Sequence, residues 1–356
     1  MSRPIRVGIV GANASRAWAH DAHVPALATL PGFALAAVSA RTPALAEEAR
    51  SAFAAGRAFG DSLALARDPD IDLVAVTVKV PEHRAIVLAA LAAGKHVYCE
   101  WPLGRDLAEA QEMAAAVTPA SHAAIGLQAL SAPAVRRAAK LVARGAIGAP
   151  KRLRVFSPTA GWAAEAPPHY AYLQDRRNGA TLETIAGGHT LAAIEAVVGA
   201  YAEVDARTSI LRPMMRITGS GEEVARTCAD HMLVLGAHAG GCVSTLEVTG
   251  GDGRTPFLFE LTGEAGWLRI TGAHPGGFQV ANLSLETSVA GVETPAPVAP
   301  GLKGAPANVA EAYARLATDI ASGKRTLPDF DAAVRLTRLL DAIEAAARTG
   351  KRQSLP

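Results

Sequence analysis

The chain has 356 residues, half of them apolar and 19% charged, with 35 basic against 33 acidic residues and a formal net charge of +2. At roughly 100–200 residues per domain this length fits two domains, and the composition excludes a disordered chain. The near-balance of charge leaves no concentrated basic surface for nucleic acid, because Arg136–Arg137 and Arg176–Arg177 are isolated pairs.

The first part of the chain alternates two patterns. Ile5–Val10, Phe33–Ser39, Leu73–Val78, His96–Cys99 and Ala123–Gly126 are short, continuous apolar runs, the pattern of strands buried on both faces. Ser15–Ala28, Thr42–Phe53, Glu82–Ala93 and Leu107–Ala116 lie between them with helical character. Alternation of this kind predicts βαβ units and a doubly wound parallel sheet. Beyond residue 127 the pattern changes. Pro133–Arg144 is a predicted helix, Arg152–Phe156 a strand, and residues 157–179 a Pro- and aromatic-rich loop. A helix over Leu191–Val198 follows. Glu203–Ile210, His231–Leu235, Val243–Val248, Phe257–Thr262 and Trp267–Ile270 then recur with glycine turns between them, which predicts an antiparallel sheet. Pro295–Pro306 is expected as an exposed loop. Val309–Ser322 and Asp331–Arg348 close the chain as two amphipathic helices.

The opening residues Met1-Ser2-Arg3-Pro4 lead straight into the first strand without the order of segments that marks a secretory signal. No apolar run approaches the roughly 18–20 residues of a membrane span, so no membrane partner is expected. Cys99, Cys228 and Cys242 form no CxxC pair, which argues against a disulfide framework and a structural zinc site. His20 and His23 lie three apart with no further ligand beside them, so no metal is expected. A reducing, cytoplasmic location is the expectation.

Gly8-Ile9-Val10-Gly11-Ala12-Asn13-Ala14-Ser15 stands where a dinucleotide fingerprint belongs, between the first strand and first helix. Such a turn needs close backbone approach to a pyrophosphate and helix N–H groups aimed at its charge. Gly8 and Gly11 are present, Ala14 replaces the later glycine, and Asn13 tolerates a left-handed conformation. The second strand ends in Val38-Ser39-Ala40-Arg41-Thr42 without the carboxylate that binds ribose hydroxyls in NAD sites. Arg41 is instead suited to a 2′-phosphate, with Ser39 and Thr42 as hydroxyl donors. This predicts NADP as cofactor, with NAD as the alternative and a solvent-facing Arg41 as the bland one.

Val74–Pro81, His83 and Ala92-Ala93-Gly94-Lys95-His96-Val97-Tyr98-Cys99-Glu100-Trp101-Pro102-Leu103 resemble the Gfo/Idh/MocA oxidoreductases. Gly126-Leu127-Gln128, Pro133–Ala138 and Gly145–Gly148 resemble that family's entry into its second domain, and Pro328–Ala333 the start of its last helix. The resemblance implies a Rossmann domain over residues 1–126 and an α/β domain over 127–356 with a large, open, mostly antiparallel sheet. It also implies a homodimer or homotetramer built through that sheet. Thr77, His83, Glu100 and Trp101 fall on the cofactor side of the matched segments. Two positions depart from the family. Its usual Glu-Lys-Pro motif has Trp101 in place of the lysine, and its usual aspartate four residues before His189 is Ile185. A branch that includes a fungal galactose-pathway repressor is similar in its Glu-Trp pair. It is similar also in Asn13–Trp18, Gly161-Trp162, Tyr170-Ala171-Tyr172, Asn178-Gly179 and Gly188-His189-Thr190.

Hydride transfer from an alcohol needs a base for the hydroxyl proton. His189 is the candidate, and Lys79, after the fourth strand, is a candidate to polarise a substrate oxygen. Lys95 is expected to be structural. Glu183, six residues before His189, is the nearest carboxylate to the missing aspartate. Trp101 is suited to stack on a nicotinamide. Trp162, His169, Tyr170 and Tyr172 are suited to a carbohydrate-like substrate, with loop packing as the alternative. The expected function is an NADP-dependent oxidoreductase of a sugar, polyol or related cyclic alcohol. The alternative is a regulator that senses a dinucleotide or sugar without turnover.

Overall fold

The computed structural model describes residues 3–293 and 295–355. Met1 and Ser2, on which the reading of the N-terminus partly rests, lie outside them. The chain divides into two compact units, residues 1–128 with 297–335 and residues 129–296 with 336–356.

In the first unit, strands β1 (Ile5–Val10), β2 (Phe33–Ser39), β3 (Arg57–Phe59), β4 (Leu73–Val76), β5 (His96–Glu100) and β6 (Ala123–Gly126) form one parallel sheet. Their order is β3-β2-β1-β4-β5-β6, so it reverses between β1 and β4, where ligands bind in doubly wound sheets. All four residues of β4 are buried, as a central strand covered on both faces requires. Helices α1 (Val24–Ala28), α2 (Pro43–Phe53), α3 (Ser62–Arg67), α4 (Val80–Ala92) and α5 (Leu107–Ala115) connect the strands. Thr42, Asp61 and Asp106 cap α2, α3 and α5 by accepting from a backbone N–H of the first turn. The helix expected over residues 15–28 is shorter and broken. Ala19–His23 makes a π-turn, with the Val24 N–H bonded to Ala19 O, before α1 begins. Pro25 lacks the N–H that a continuous helix would need there.

The second unit starts with α6 (Pro133–Ala143) and β7 (Pro150–Thr159), then β8 (Glu165–Ala166), short 3₁₀ turns, and α7 (Gly188–Val198). Strands β9 (Tyr201–Ser209), β10 (Met214–Ile217), β11 (Glu223–Ala225), β12 (His231–His238), β13 (Val243–Gly250), β14 (Phe257–Gly263), β15 (Trp267–Gly272) and β16 (Ser284–Thr287) follow. Helix α8 (Ala305–Ser322), helix α9 (Phe330–Thr349) and β17 (Gln353–Ser354) complete the chain.

The large sheet runs β16-β15-β14-β7-β13-β12-β9-β17, with a small sheet β11-β10-β8 beside it in sequence. It is mostly antiparallel, as expected, but β7 and β13 pair in parallel. Period-two alternation buries Met232, Val234, Leu246 and Val248 and exposes Leu233, Leu235 and Val243. The loop expected over 295–306 ends earlier than predicted, because Pro306 sits in the first turn of α8, where a missing N–H has no cost. Helix α8 packs on the π-turn and α1 of the first unit. An antiparallel bridge of Asp329 to Ala124 covers the β6 edge. The two C-terminal helices were expected with the second domain over 127–356. Residues 297–335 instead group with the first unit, and the division falls inside α9.

Candidate cofactor and substrate sites

Register brings the chemistry of the first unit to one edge. Val10 pairs with Val76, Val76 with Cys99, and Glu100 with Gly126. Gly11 follows β1 with φ +95, and a Cβ there would lie 2.9 Å from Val78 Cγ1 and 3.0 Å from Val78 N. Only glycine fits, by conformation and by space. Gly11 borders a cavity of about 310 Å³ with Ala40, Arg41, Gly60 and Val78. The guanidinium-bearing Arg41 is exposed, and Asp61 and Glu82 border the same cavity.

The other residues of the predicted turn behave differently. Gly8 lies inside β1, where a Cβ would come 2.7 Å from Leu65 Cδ2, so its reason is packing of α3. Asn13 Oδ1 accepts from the N–H and Oγ of Ser15 at 3.1 and 3.3 Å. The left-handed residue in this loop is Ala17, φ +78, rather than Asn13. Ala14 and Ser15 form the turn itself, and neither borders the cavity. Ser39 was expected to bind phosphate but is fully buried, with its Oγ 3.2 Å from Ser62 Oγ. The Thr42 Oγ1 accepts from Leu45 N as the cap of α2. Thr77 donates its hydroxyl to Val10 O at 2.7 Å, tying β4 to β1.

Lys79 is exposed at the N-cap of α4. His83, expected beside the cofactor, is buried. Its Nδ1 lies 3.0 Å from Pro102 O and its Nε2 3.0 Å from Val78 O. Burial lowers its pKa, and the ring lies between the segment after β4 and the segment after β5, where a neutral imidazole donates to one of these carbonyls. Glu100 ends β5 and accepts from His23 Nε2 at 2.9 Å. Trp101, next to it, is 6% exposed.

In the second unit His189 sits in the first turn of α7, immediately after a π-turn over Glu183–Gly187. It is 4% exposed, and its buried Nδ1 has no hydrogen-bond partner among the described residues. Burial alone lowers its pKa to about 3. The imidazole is therefore neutral, with a nitrogen in reserve. Glu183 accepts from Ala229 N at 3.3 Å, and burial raises its pKa. The sequence offers no carboxylate at position 185.

The aromatic residues separate. Trp162, expected in a substrate pocket, is 5% exposed and donates Nε1–H to Leu173 O at 3.2 Å. It packs the loop, as its alternative reading held. Tyr170 is exposed, its ring 4.5 Å from that of His169. Tyr172 is half-buried, and burial raises its pKa to about 12.

A buried ion cluster holds this loop, and sequence reasoning missed it. Arg226 donates to Asp230 Oδ2, Gln174 Oε1 and Ala163 O, each at 2.7 Å. Asp230 also accepts from Arg212 and from the backbone of Leu211. Nothing in the pattern of isolated charged residues signals such a cluster. Among the described residues no group of three His, Cys, Asp or Glu side chains is placed to hold a metal ion, and no helix is long and apolar enough to cross a membrane.

Comparison with known proteins bears on both units. The dehydrogenase aclE of Aspergillus oryzae is 34% identical over 220 residues, 60% of this chain and 60% of that protein. The matched region thus spans less than two thirds of that relative. The galactose/lactose metabolism regulatory protein GAL80 of Kluyveromyces lactis is 29% identical over 80% of this chain and 67% of its own length. Levoglucosan dehydrogenase of Pseudarthrobacter phenanthrenivorans is 27% identical over 82% of this chain and 79% of its own. A solved levoglucosan dehydrogenase in complex with NADH and levoglucosan shares the fold, with a TM-score of 0.83 at 23% identity over 99% of this chain and 100% of that one. Residues 5–125 match the oxidoreductase family with an NAD-binding Rossmann fold, and residues 133–272 match the Gal80p C-terminal domain. The chain thus joins a Gfo/Idh/MocA NAD-binding domain to a Gal80p C-terminal-like domain.

Proposed function

We propose that this chain binds a nicotinamide dinucleotide, NADP in preference to NAD, and oxidises or reduces a sugar, polyol or related cyclic alcohol in the cytoplasm. The observation that carries the reading is the cavity behind Gly11 with Arg41 on its border. Gly11 admits a pyrophosphate close to the backbone, and Arg41 offers two parallel N–H donors to a 2′-phosphate. A bound nicotinamide would supply the hydride acceptor or donor. His189 takes the hydroxyl proton as the alcohol becomes a carbonyl, and returns it in the reverse direction. Its buried Nδ1, without a hydrogen-bond partner among the described residues, supports that role. Lys79 is the candidate to polarise the substrate oxygen, and Tyr170 and Tyr172 to contact the substrate. Levoglucosan dehydrogenase, a relative, acts on a carbohydrate by its name, which supports the substrate class. We further propose a homodimer or homotetramer through the large sheet.

The test is a pair of titrations with NADPH and NADH, followed by the fluorescence of Trp18 and Trp101. NADPH should bind at least about tenfold more tightly, and Arg41→Ala should remove the difference. Equal affinities would remove Arg41 from the selecting role. With a substrate in hand, His189→Ala should lower turnover about 10²–10⁴-fold.

A regulatory reading has its own support in Trp101 and Ile185, which replace the family's lysine and aspartate. A GAL80 protein is also among the relatives. It predicts dinucleotide binding with no turnover of any sugar alcohol or aldose offered.

A further inference from the structure

Three side chains far apart in sequence form a buried chain of hydrogen bonds in the first unit. The Tyr313 hydroxyl, from α8, lies 2.7 Å from His23 Nδ1, and His23 Nε2 lies 2.9 Å from Glu100 Oε1. Carboxylate oxygen only accepts, so Nε2 carries the proton and Nδ1 accepts from the tyrosine. Burial raises the Tyr313 pKa well above the usual value and keeps the phenol protonated. His23 is fully buried, and its ring meets Tyr98 and Tyr313 edge-on, at 5.4 and 5.7 Å between centroids. Tyr98 and Tyr313 stack at 5.1 Å. On the other side a Cβ at Gly126 would lie 2.7 Å from Glu100 Cδ and both its oxygens. The carboxylate is thus clamped between an imidazole and a glycine backbone, and its side chain keeps 12% exposure.

We infer that His23, backed by Tyr313, is a positioning residue that aims the free oxygen of Glu100 at the nicotinamide–ribose half of a bound dinucleotide. Sheet order supports the assignment to that half. The Gly11–Arg41 cavity is lined by residues after β1, β2 and β3 and reaches Val78 and Glu82 after β4, whereas Glu100 ends β5, on the far side of β4 from Gly11. A dinucleotide laid over the β1/β4 switch point places its two halves on opposite sides. The inference rests on the dinucleotide reading, and a half-ligand separates the two.

The experiment titrates the full chain and its variants with NADPH and with 2′-phospho-ADP, which keeps the 2′-phosphate and the pyrophosphate but lacks the nicotinamide and its ribose. His23→Leu should weaken NADPH about tenfold or more, one charge-assisted hydrogen bond's worth, and leave 2′-phospho-ADP within about twofold. His23→Gln, which can still donate to Glu100, should recover most of the loss. Gly126→Ala, which crowds the carboxylate without touching His23, should reproduce the split. Should His23→Leu fail to fold, Tyr313→Phe keeps the stacked ring, removes only the hydroxyl, and should show the same split at smaller size. Equal weakening of both ligands, or of neither, overturns the positioning role. Unchanged 2′-phospho-ADP affinity keeps the dinucleotide reading alive in either case. A wild-type chain that binds neither ligand removes both.

Discussion

Burial lowers the imidazoles of His189, His83, His96, His122 and His238, and desolvation is the largest cause in each. None of the five has a carboxylate within ion-pair distance among the described residues to oppose it. The consequence for stability follows from linkage. The unfolded chain binds a proton on each imidazole near pH 6.5, and the folded chain does so only at lower pH. Stability is therefore complete above about pH 6.5 and falls as pH drops, for His189 down to about 3. At pH 5 that residue alone costs about 2 kcal/mol. The ion-paired carboxylates are held low, whereas burial raises Glu183 and works in the opposite direction, so the His189 variant is needed to isolate the imidazole. Urea unfolding at pH 7 and pH 5 should show a clear loss at the lower value, and His189→Gln should shrink it by up to about 2 kcal/mol. An unchanged difference would mean that the ring reaches water and is protonated in the folded chain.

Among the elements, the loop over 160–179 carries the exposed aromatic residues, and its order depends on one ion cluster. Arg226 and Asp230 are fully buried side chains with matched donors and acceptors. Removing one partner of such a pair leaves an uncompensated charge, at a cost of about 3 kcal/mol. Arg212 and the backbone N–H of Leu211 soften the loss. Arg226→Ala should lower the urea midpoint accordingly. It should also speed tryptic cleavage after the exposed Arg176 and Arg177, because Gln174 and Ala163 lose their anchor. Cleavage at the wild-type rate would show that Trp162 and the hydrogen bond to Leu173 suffice to hold the loop. The cluster was invisible in the sequence because Gln174 and Arg212 join the Arg226–Asp230 pair, four residues apart, only in the fold. The Glu100–His23–Tyr313 chain is hidden for the same reason, with His23 and Tyr313 separated by 290 positions. By contrast β1, β2, β4, β5 and β6 were legible, since each is a short apolar run bounded by helical pattern. Strand β3 was not, because Arg57–Phe59 is three half-buried residues with no alternation to mark it. Gly11 and Arg41 were readable from motif position alone. Ser39 and Trp162 were read as ligand contacts because residue type does not reveal burial.

At the scale of the whole molecule, the outer face of the large sheet is the feature still without a partner. Leu235 and Val243 are each 57% exposed, and Leu233 is 39% exposed. Several of the charges around them are paired within the face. Arg352 pairs with Glu203 and Asp205, Arg269 and Arg154 with Glu260, and His231 with Glu247. A face of apolar side chains with pre-paired charges loses little by leaving water, which is the condition for a two-fold, self-complementary contact. The eight-stranded sheet also offers its apolar residues on neighbouring strands β12 and β13, so they form one patch rather than scattered points. The proposed homodimer or homotetramer places a second copy there. Sedimentation velocity at micromolar concentration should give a mass at least twice that of one chain. Leu235→Glu should convert it to a monomer while the melting temperature of the monomer-forming units changes by only a few degrees, because the substituted side chain is on the solvent side of its strand. A wild-type chain that sediments as a monomer would sink the pairing. A Leu235→Glu variant that stays oligomeric would move the contact to another surface and leave the sheet face exposed.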